Sequence, residues 1–150
     1  MELRDLYQDV ILDHSKHPRN FGTLGPPAFE ARGNNPLCGD RVTVYLTLDG
    51  DRVADVRFEA KGCAISVASA SMMTELIKGR PLEEVRALFS RFHAAVTAKN
   101  APDAANLEAL DGLAALIGVR DFPTRVKCAT LAWHAMSSAL DGSGTTVKTE

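Results

Sequence analysis

Val42-Thr43-Val44-Tyr45-Leu46-Thr47-Leu48, the turn Asp49-Gly50-Asp51 and the run Ala54-Asp55-Val56-Arg57-Phe58-Glu59-Ala60 read as two strands joined in a hairpin. Val42, Val44, Leu46 and Leu48 alternate with polar residues, and Ala54, Val56, Phe58 and Ala60 share one face of the second strand. A sheet with one apolar face needs a cover, and helical patterns on both sides of the hairpin supply it. Upstream, residues 2–15 carry Leu3, Leu6, Tyr7, Val10 and Ile11 at helical spacing, stopping before Pro18. Residues 23–35 are rich in Gly, Pro and Asn and read as loop, with a short extended piece around 29–32. Downstream, Ile65, Ala68, Met72 and Leu76 form a stripe that Lys78-Gly79 ends. Pro81 then opens a helix reaching Phe89 or Phe92, with Leu82, Val85, Leu88 and Phe89 inward. Residues 97–106 read as a surface connection, 107–117 as a short helix ending at Gly118, and about 124–140 as the last helix. The pattern predicts one compact α+β unit.

Composition supports a single domain. With 150 residues, 45% hydrophobic and 24% charged, the chain is long enough for one real core and short for two. The domain is expected over 1–140, with 141–150 as a flexible C-terminal tail too poor in apolar residues to fold. Three cysteines with no short-range pairing pattern argue against a disulfide framework, and no N-terminal apolar stretch precedes a cleavage site, so a cytoplasmic protein is expected. Apolar runs are interrupted well before the roughly 20 residues that a membrane span needs. A net charge of -2 gives no basic face for nucleic acid.

Cys38, Cys63 and Cys128 carry the chemistry. Cys38 lies in Asn35-Pro36-Leu37-Cys38-Gly39-Asp40, where proline stiffens the approach and Gly39 allows a tight turn that aims Cys38 and Asp40 at one point. Cys63 follows Gly62 where strand gives way to helix. Cys128 follows Arg125 and Lys127 and also opens a helical run, so two of the three sulfurs are expected at the positive end of a helix dipole. Three thiolates and the Asp40 carboxylate make four donors, the number that tetrahedral zinc takes. No CxxC pair is present.

The remaining polar residues are weaker candidates. His14 and His17 end the first helix, where capping or partner contact is expected rather than ligation; His134 lies six residues after Cys128 and points away from it, and His93 is placed in the surface insertion. Ser66, Ser69 and Ser71 have no histidine and carboxylate placed by sequence to activate them, and fit a helix packed closely on the sheet. Met72 and Met73 read as core, and Trp133 as the anchor of the final helix.

Asp13-His14 with Pro18-Arg19-Asn20, Asn35-Pro36-Leu37-Cys38-Gly39-Asp40, Gly62-Cys63-Ala64-Ile65-Ser66 with Ala68-Ser69-Ala70-Ser71, and Arg125-Val126-Lys127-Cys128-Ala129-Thr130-Leu131-Ala132-Trp133 together resemble the SufU/IscU family (NifU N-terminal-like) of iron–sulfur cluster assembly proteins. The resemblance covers about residues 3–140. It implies a small antiparallel sheet of about three strands with helices packed on one face. It also implies a metal site formed by Cys38, Cys63 and Cys128, with Asp40 as fourth ligand or close neighbour. The scaffold branch carries a histidine just before the last cysteine and a Leu-Pro-Pro-Val-Lys motif upstream. Here Lys127 precedes Cys128 and Phe122-Pro123-Thr124-Arg125-Val126 stands upstream, and the chain from Cys63 to Cys128 is longer, with the extra length at about 91–106. A protonated lysine is no ligand.

These departures resemble the SufU branch, which implies a zinc-dependent, sulfurtransferase-like acceptor of persulfide sulfur from a SufS-like cysteine desulfurase, serving downstream iron–sulfur assembly machinery. Cys38 is then the acceptor, and Arg125 and Lys127 offset the charge of the centre or meet acidic groups on the partner. Two alternatives stand beside it. One is a scaffold holding Fe2+ or a [2Fe-2S] cluster on the same ligands; the other is a non-catalytic, zinc-stabilised interaction domain.

Overall fold

The computed structural model of the chain describes residues 3–26, 28–36, 39–98, 103–141 and 147–148. Helix α1 (Leu3–Lys16) leads into strands β1 (Phe29–Asn35), β2 (Asp40–Asp49) and β3 (Arg52–Lys61), followed by helices α2 (Ala64–Ile77), α3 (Leu82–Thr97) and α4 (Ala104–Leu110). A 3-10 helix (Asp111–Asp121), helix α5 (Pro123–Leu140) and a two-residue strand β4 (Val147–Lys148) complete the order.

The hairpin forms where the alternation places it. Asp49 pairs with Arg52, so Gly50 and Asp51 make a two-residue loop with Gly50 at φ 62°, the left-handed conformation that such a hairpin turn requires. A register shift between Thr47 and Leu48 leaves Ala54 without a cross-strand partner. The expected inward face of β3 therefore changes at its start: Val53 is buried and Ala54 exposed, because the extra residue reverses the alternation. Strand β1 is antiparallel to β2 and longer than the short piece read from sequence. The sheet order is β3-β2-β1-β4. Val147 and Lys148 run parallel to β1 at Gly33 and Asn34, inside the segment expected to be a flexible tail, and two residues are too few to give a strand pattern in sequence. The outer edge of β3 is paired as well: Phe58 exchanges backbone hydrogen bonds with Asn20 and Gly22, and Val53 with Gly79 and Arg80.

The core lies between the inner face of the sheet and helices α2 and α5. Val42, Val44, Leu46, Val56 and Phe58 from the strands meet Ala68, Met72, Met73, Leu131, Trp133 and Met136 from the helices, all buried. Close approach is built into the sequence at Gly33, where a Cβ would come within 2.9 Å of Leu131 Cδ1 on α5. Trp133 stacks on Phe89 and Phe92 of α3, with ring centroids 5.7 and 5.3 Å away, and donates its indole N–H to Ser69 Oγ (3.2 Å). Ser69 in turn donates to the Ala129 carbonyl at 2.5 Å, so this small residue joins α2 to α5, where a face packed on the sheet was expected.

Two elements differ from their sequence patterns. Helix α3 continues to Thr97 because Ala95 and Val96 prolong its buried face beyond Phe92, which puts His93 on a helix rather than in a surface insertion. The helix expected over 107–117 is α4 followed by the eleven-residue 3-10 helix. Leu110, Leu113, Leu116 and Val119 are all buried at a spacing of three, the repeat of a 3-10 turn.

Helix α1 is held to α2 by a polar clamp. His14, 8% exposed, has Nδ1 2.7 Å from Ser71 Oγ, which also accepts the Arg19 N–H at 2.8 Å. Glu75 lies 3.5 Å from His14 Nε2.

Two outcomes follow from this packing. Trp133→Ala should lower stability by about 3–5 kcal/mol, read from urea denaturation, since it empties the junction of α2, α3 and α5. His14 is held below its ordinary pKa chiefly by burial and then by the charge of Arg19, so the unfolded chain binds the proton more readily. Its contribution to stability is complete above about pH 6.5 and is lost as pH falls through the lower folded-state value. The urea midpoint should drop from about pH 7 to about pH 5, and drop less in His14→Gln.

Candidate metal centre

Asp40, Cys63 and Cys128 come from three elements that meet at one end of the sheet. Asp40 is the first residue of β2; Arg41 beside it pairs across the ladder with Lys61, the last residue of β3. Gly62 turns the chain out of β3, and Cys63 is the N-cap of α2. Cys128 projects from α5. One carboxylate oxygen and the two sulfurs all lie within 4.8 Å of one another.

Asp40 is 1% exposed. Its Oδ1 accepts the Cys63 backbone N–H at 2.9 Å, and Oδ2 lies 3.6 Å from Cys63 Sγ, which donates to it as a thiol. The carboxylate therefore satisfies the backbone N–H of the N-cap residue itself, one of the unpaired N–H groups at the start of α2, where Cys63 makes no side-chain capping bond. Gly62 is the residue that makes this approach fit. A Cβ there would overlap Asp40 Oδ1 and lie 3.0 Å from the Asp40 Cα. Sequence reading assigned Gly62 no function; its only signal was a glycine directly before a cysteine at a strand-to-helix junction.

The electrostatics favour a cation. Burial pushes the Cys128 thiol far up from its ordinary pKa, and the Asp40 carboxylate and Cys63 add to the shift in the same direction. A Cys128 thiolate this close to Asp40 and Cys63 is therefore favoured only when positive charge is supplied between them. Arg125 supplies part of it from outside. Its guanidinium faces Cys63 and Cys128, whose charge and hydrogen bonding hold its pKa above the ordinary value.

The dipole argument needs a correction. Helix α5 begins at Pro123, so Cys128 lies in its second turn and Cys63 alone sits at a helix start. Arg125 in the first turn of α5 takes over the role expected of the dipole at Cys128.

Cys38 lies outside the described residues, with Leu37. The chain on either side of it is described: Asn35 pairs with Asp40 across β1 and β2, and Gly39, at φ 74°, donates its N–H to the Asn35 carbonyl at 2.8 Å. Lys127 is half-buried on α5. None of the four histidines joins the cluster; His14 is in the α1–α2 clamp, and His93 and His134 face each other between α3 and α5.

Gly62→Ala should cost about 1–3 kcal/mol of stability by forcing the Asp40 carboxylate away from the start of α2, and should weaken zinc retention against a chelator, both measurable on one purified sample.

The family model described as "NifU-like N terminal domain" matches residues 6–129. Among curated proteins, the zinc-dependent sulfurtransferase SufU of Bacillus subtilis is 44% identical over 92% of this chain and 91% of its own length. The iron-sulfur cluster assembly scaffold protein IscU of Streptococcus pyogenes is 41% identical over 95% of this chain and 87% of its own. Among solved structures, the protein named FiSufU of Fervidobacterium islandicum superposes with a TM-score of 0.81 at 32% identity, covering 93% of this chain and 99% of that one. By sequence, and by a fold of three antiparallel strands covered by helices, the chain belongs to the NifU-like N-terminal domain family, alongside its SufU and IscU members.

Proposed function

We propose that this protein acts in iron–sulfur cluster assembly as a zinc-dependent sulfur acceptor, taking persulfide sulfur from a cysteine desulfurase. The observation that carries the reading is the convergence of Asp40, Cys63 and Cys128 within 4.8 Å under the guanidinium of Arg125. The donor set fits the ion. Tetrahedral zinc with bonds of about 2.3 Å to sulfur and about 2.0 Å to oxygen spaces its ligand atoms about 3.5–3.8 Å apart, close to the 3.6 Å between Cys63 Sγ and Asp40 Oδ2.

Asp40, Cys63 and Cys128 would hold the metal, with Cys38 of the β1–β2 connection as the fourth donor. Bound zinc supplies deprotonation, keeping thiols as thiolates at neutral pH. The chain's own residues divide the remaining work. Asp40, Cys63 and Cys128 are fixed by β2, α2 and α5, so Cys38, which belongs to a connection between strands, is the donor suited to leave the set and react. Its thiolate attacks the outer sulfur of the desulfurase persulfide; a new S–S bond forms on Cys38, the donor's S–S bond breaks, and the donor cysteine departs as thiolate with no net oxidation. Arg125 offsets the negative charge of the cluster, and Lys127 adds to it or meets an acidic group of the partner. A carboxylate in the set favours exchange, since it suits borderline-soft zinc less well than sulfur does.

The test is sulfide release by the matching cysteine desulfurase with this protein in zinc-loaded and chelated forms. Stimulation by the zinc form alone is expected, and Cys38→Ser should abolish it while keeping zinc, whereas Cys63→Ser should lose zinc as well. Unchanged transfer in Cys38→Ser would overturn the acceptor assignment. If zinc instead suppressed activity and an iron-loaded sample accumulated a coloured cluster, the protein would be a scaffold for a [2Fe-2S] cluster, the second reading; its Streptococcus relative is named as an iron-sulfur cluster assembly scaffold.

A further inference from the structure

Between α3 and α5, away from the cysteines, lies a groove of about 480 Å³ lined by Arg86, Phe89, Ser90, His93, His134 and Ser137 among others. His93 comes from α3 and His134 from α5, and their ring centroids are 5.9 Å apart with the planes at 79°. The Phe89 ring meets both of them edge to face, at 6.2 Å and 5.2 Å. Two imidazoles that share one ion through bonds of about 2.0–2.1 Å have ring centres about 5–6 Å apart. The observed separation falls within that span, and binding an ion requires the exposed His93 ring to turn from its edge-to-face contacts toward the common point.

The local charge does not oppose a cation. Burial, and next the neighbouring His93, hold the His134 pKa below its ordinary value, so that ring is neutral at neutral pH with a lone pair available. Arg86, the cation lining the groove, is paired with Asp141 at 2.9 Å. The hydroxyls of Ser90 and Ser137 and solvent can fill the remaining positions around an ion. Imidazole is a good ligand for late first-row divalent ions, whereas the thiolates of the cysteine centre compete for the same ions more strongly.

We propose that His93 and His134 form a second metal site, independent of the cysteine centre, that binds a late first-row divalent cation such as Zn2+ or Ni2+ across α3 and α5. The cysteine centre fills first and the histidine pair takes the next equivalent. Occupancy ties the second half of α3 to the helix that carries Cys128.

The experiment is a Zn2+ titration of the full chain, bearing no added histidine tag, followed by long-range 1H–15N spectra of the histidine rings. The ring nitrogens of His93 and His134 should shift together at the second equivalent while those of His14 and His17 stay in place, and His93→Ala should weaken that step about tenfold or more. His134→Gln, which keeps a polar side chain of similar length, should do the same with an unchanged far-ultraviolet circular dichroism spectrum. Unmoved His93 and His134 signals, or undiminished second-site affinity in His93→Ala, would overturn the proposal. Failure of the cysteine centre to hold zinc would show separately, since the histidine signals would then respond to the first equivalent.

Discussion

The hydrogen bond from the Cys63 backbone N–H to Asp40 Oδ1 joins the start of β2 to the start of α2, and much of the centre's geometry depends on it. A buried carboxylate must be satisfied, and a helix start must find acceptors for its first N–H groups. One contact meets both needs. It also leaves the other carboxylate oxygen beside the Cys63 sulfur, so the interaction that ends one element and begins another places two candidate ligands together. Gly62 is the condition for it, because a side chain at that position would occupy the space of the carboxylate.

Helix α5 brings the third donor. Leu131 rests over Gly33 on β1, Ala129 accepts from Ser69 on α2, and Trp133 fills the space against α3, so little more than one turn of the helix is fixed by three different neighbours. Cys128 sits just before these anchors and has little freedom to move away from Asp40 and Cys63. The cluster thus combines a rigid arrangement of donors with a charge distribution that disfavours the ionised Cys128 thiol in the absence of a cation. Arg125, exposed at the rim, moderates that imbalance without closing the centre to an incoming molecule.

The hairpin was legible in the sequence because a period of two survives any tertiary context in which one face is buried. The bulge at Ala54 was not, since register depends on the partner strand as well as on the strand itself. The end of α3 was read too early for a related reason: Ala95 and Val96 look neutral in sequence, yet both are buried where the helix packs on its neighbours. At the centre, Gly39-Asp40 and Gly62-Cys63 marked junction positions correctly. That Asp40, Cys63 and Cys128 converge was expected from their junction positions and donor chemistry and from the resemblance, since their sequence separations carry no distance information. Helix α5 starts at Pro123, within one residue of the expected 124, and even that expected start puts Cys128 in the second turn, so placing its sulfur at the helix dipole did not follow from the helix bounds.

The 3-10 helix sets a rule for chain length between α4 and α5. At about 2.0 Å per residue it advances further than an α-helix of the same length, and each added residue turns it by about a third of a circle. Leu110, Leu113, Leu116 and Val119 stay on one side only because their spacing matches that turn. Insertion or loss of one or two residues here would swing the buried row toward solvent, whereas a change of three would preserve its facing and alter only its reach. A change of length in this segment that keeps the helix is therefore best accommodated in steps of three.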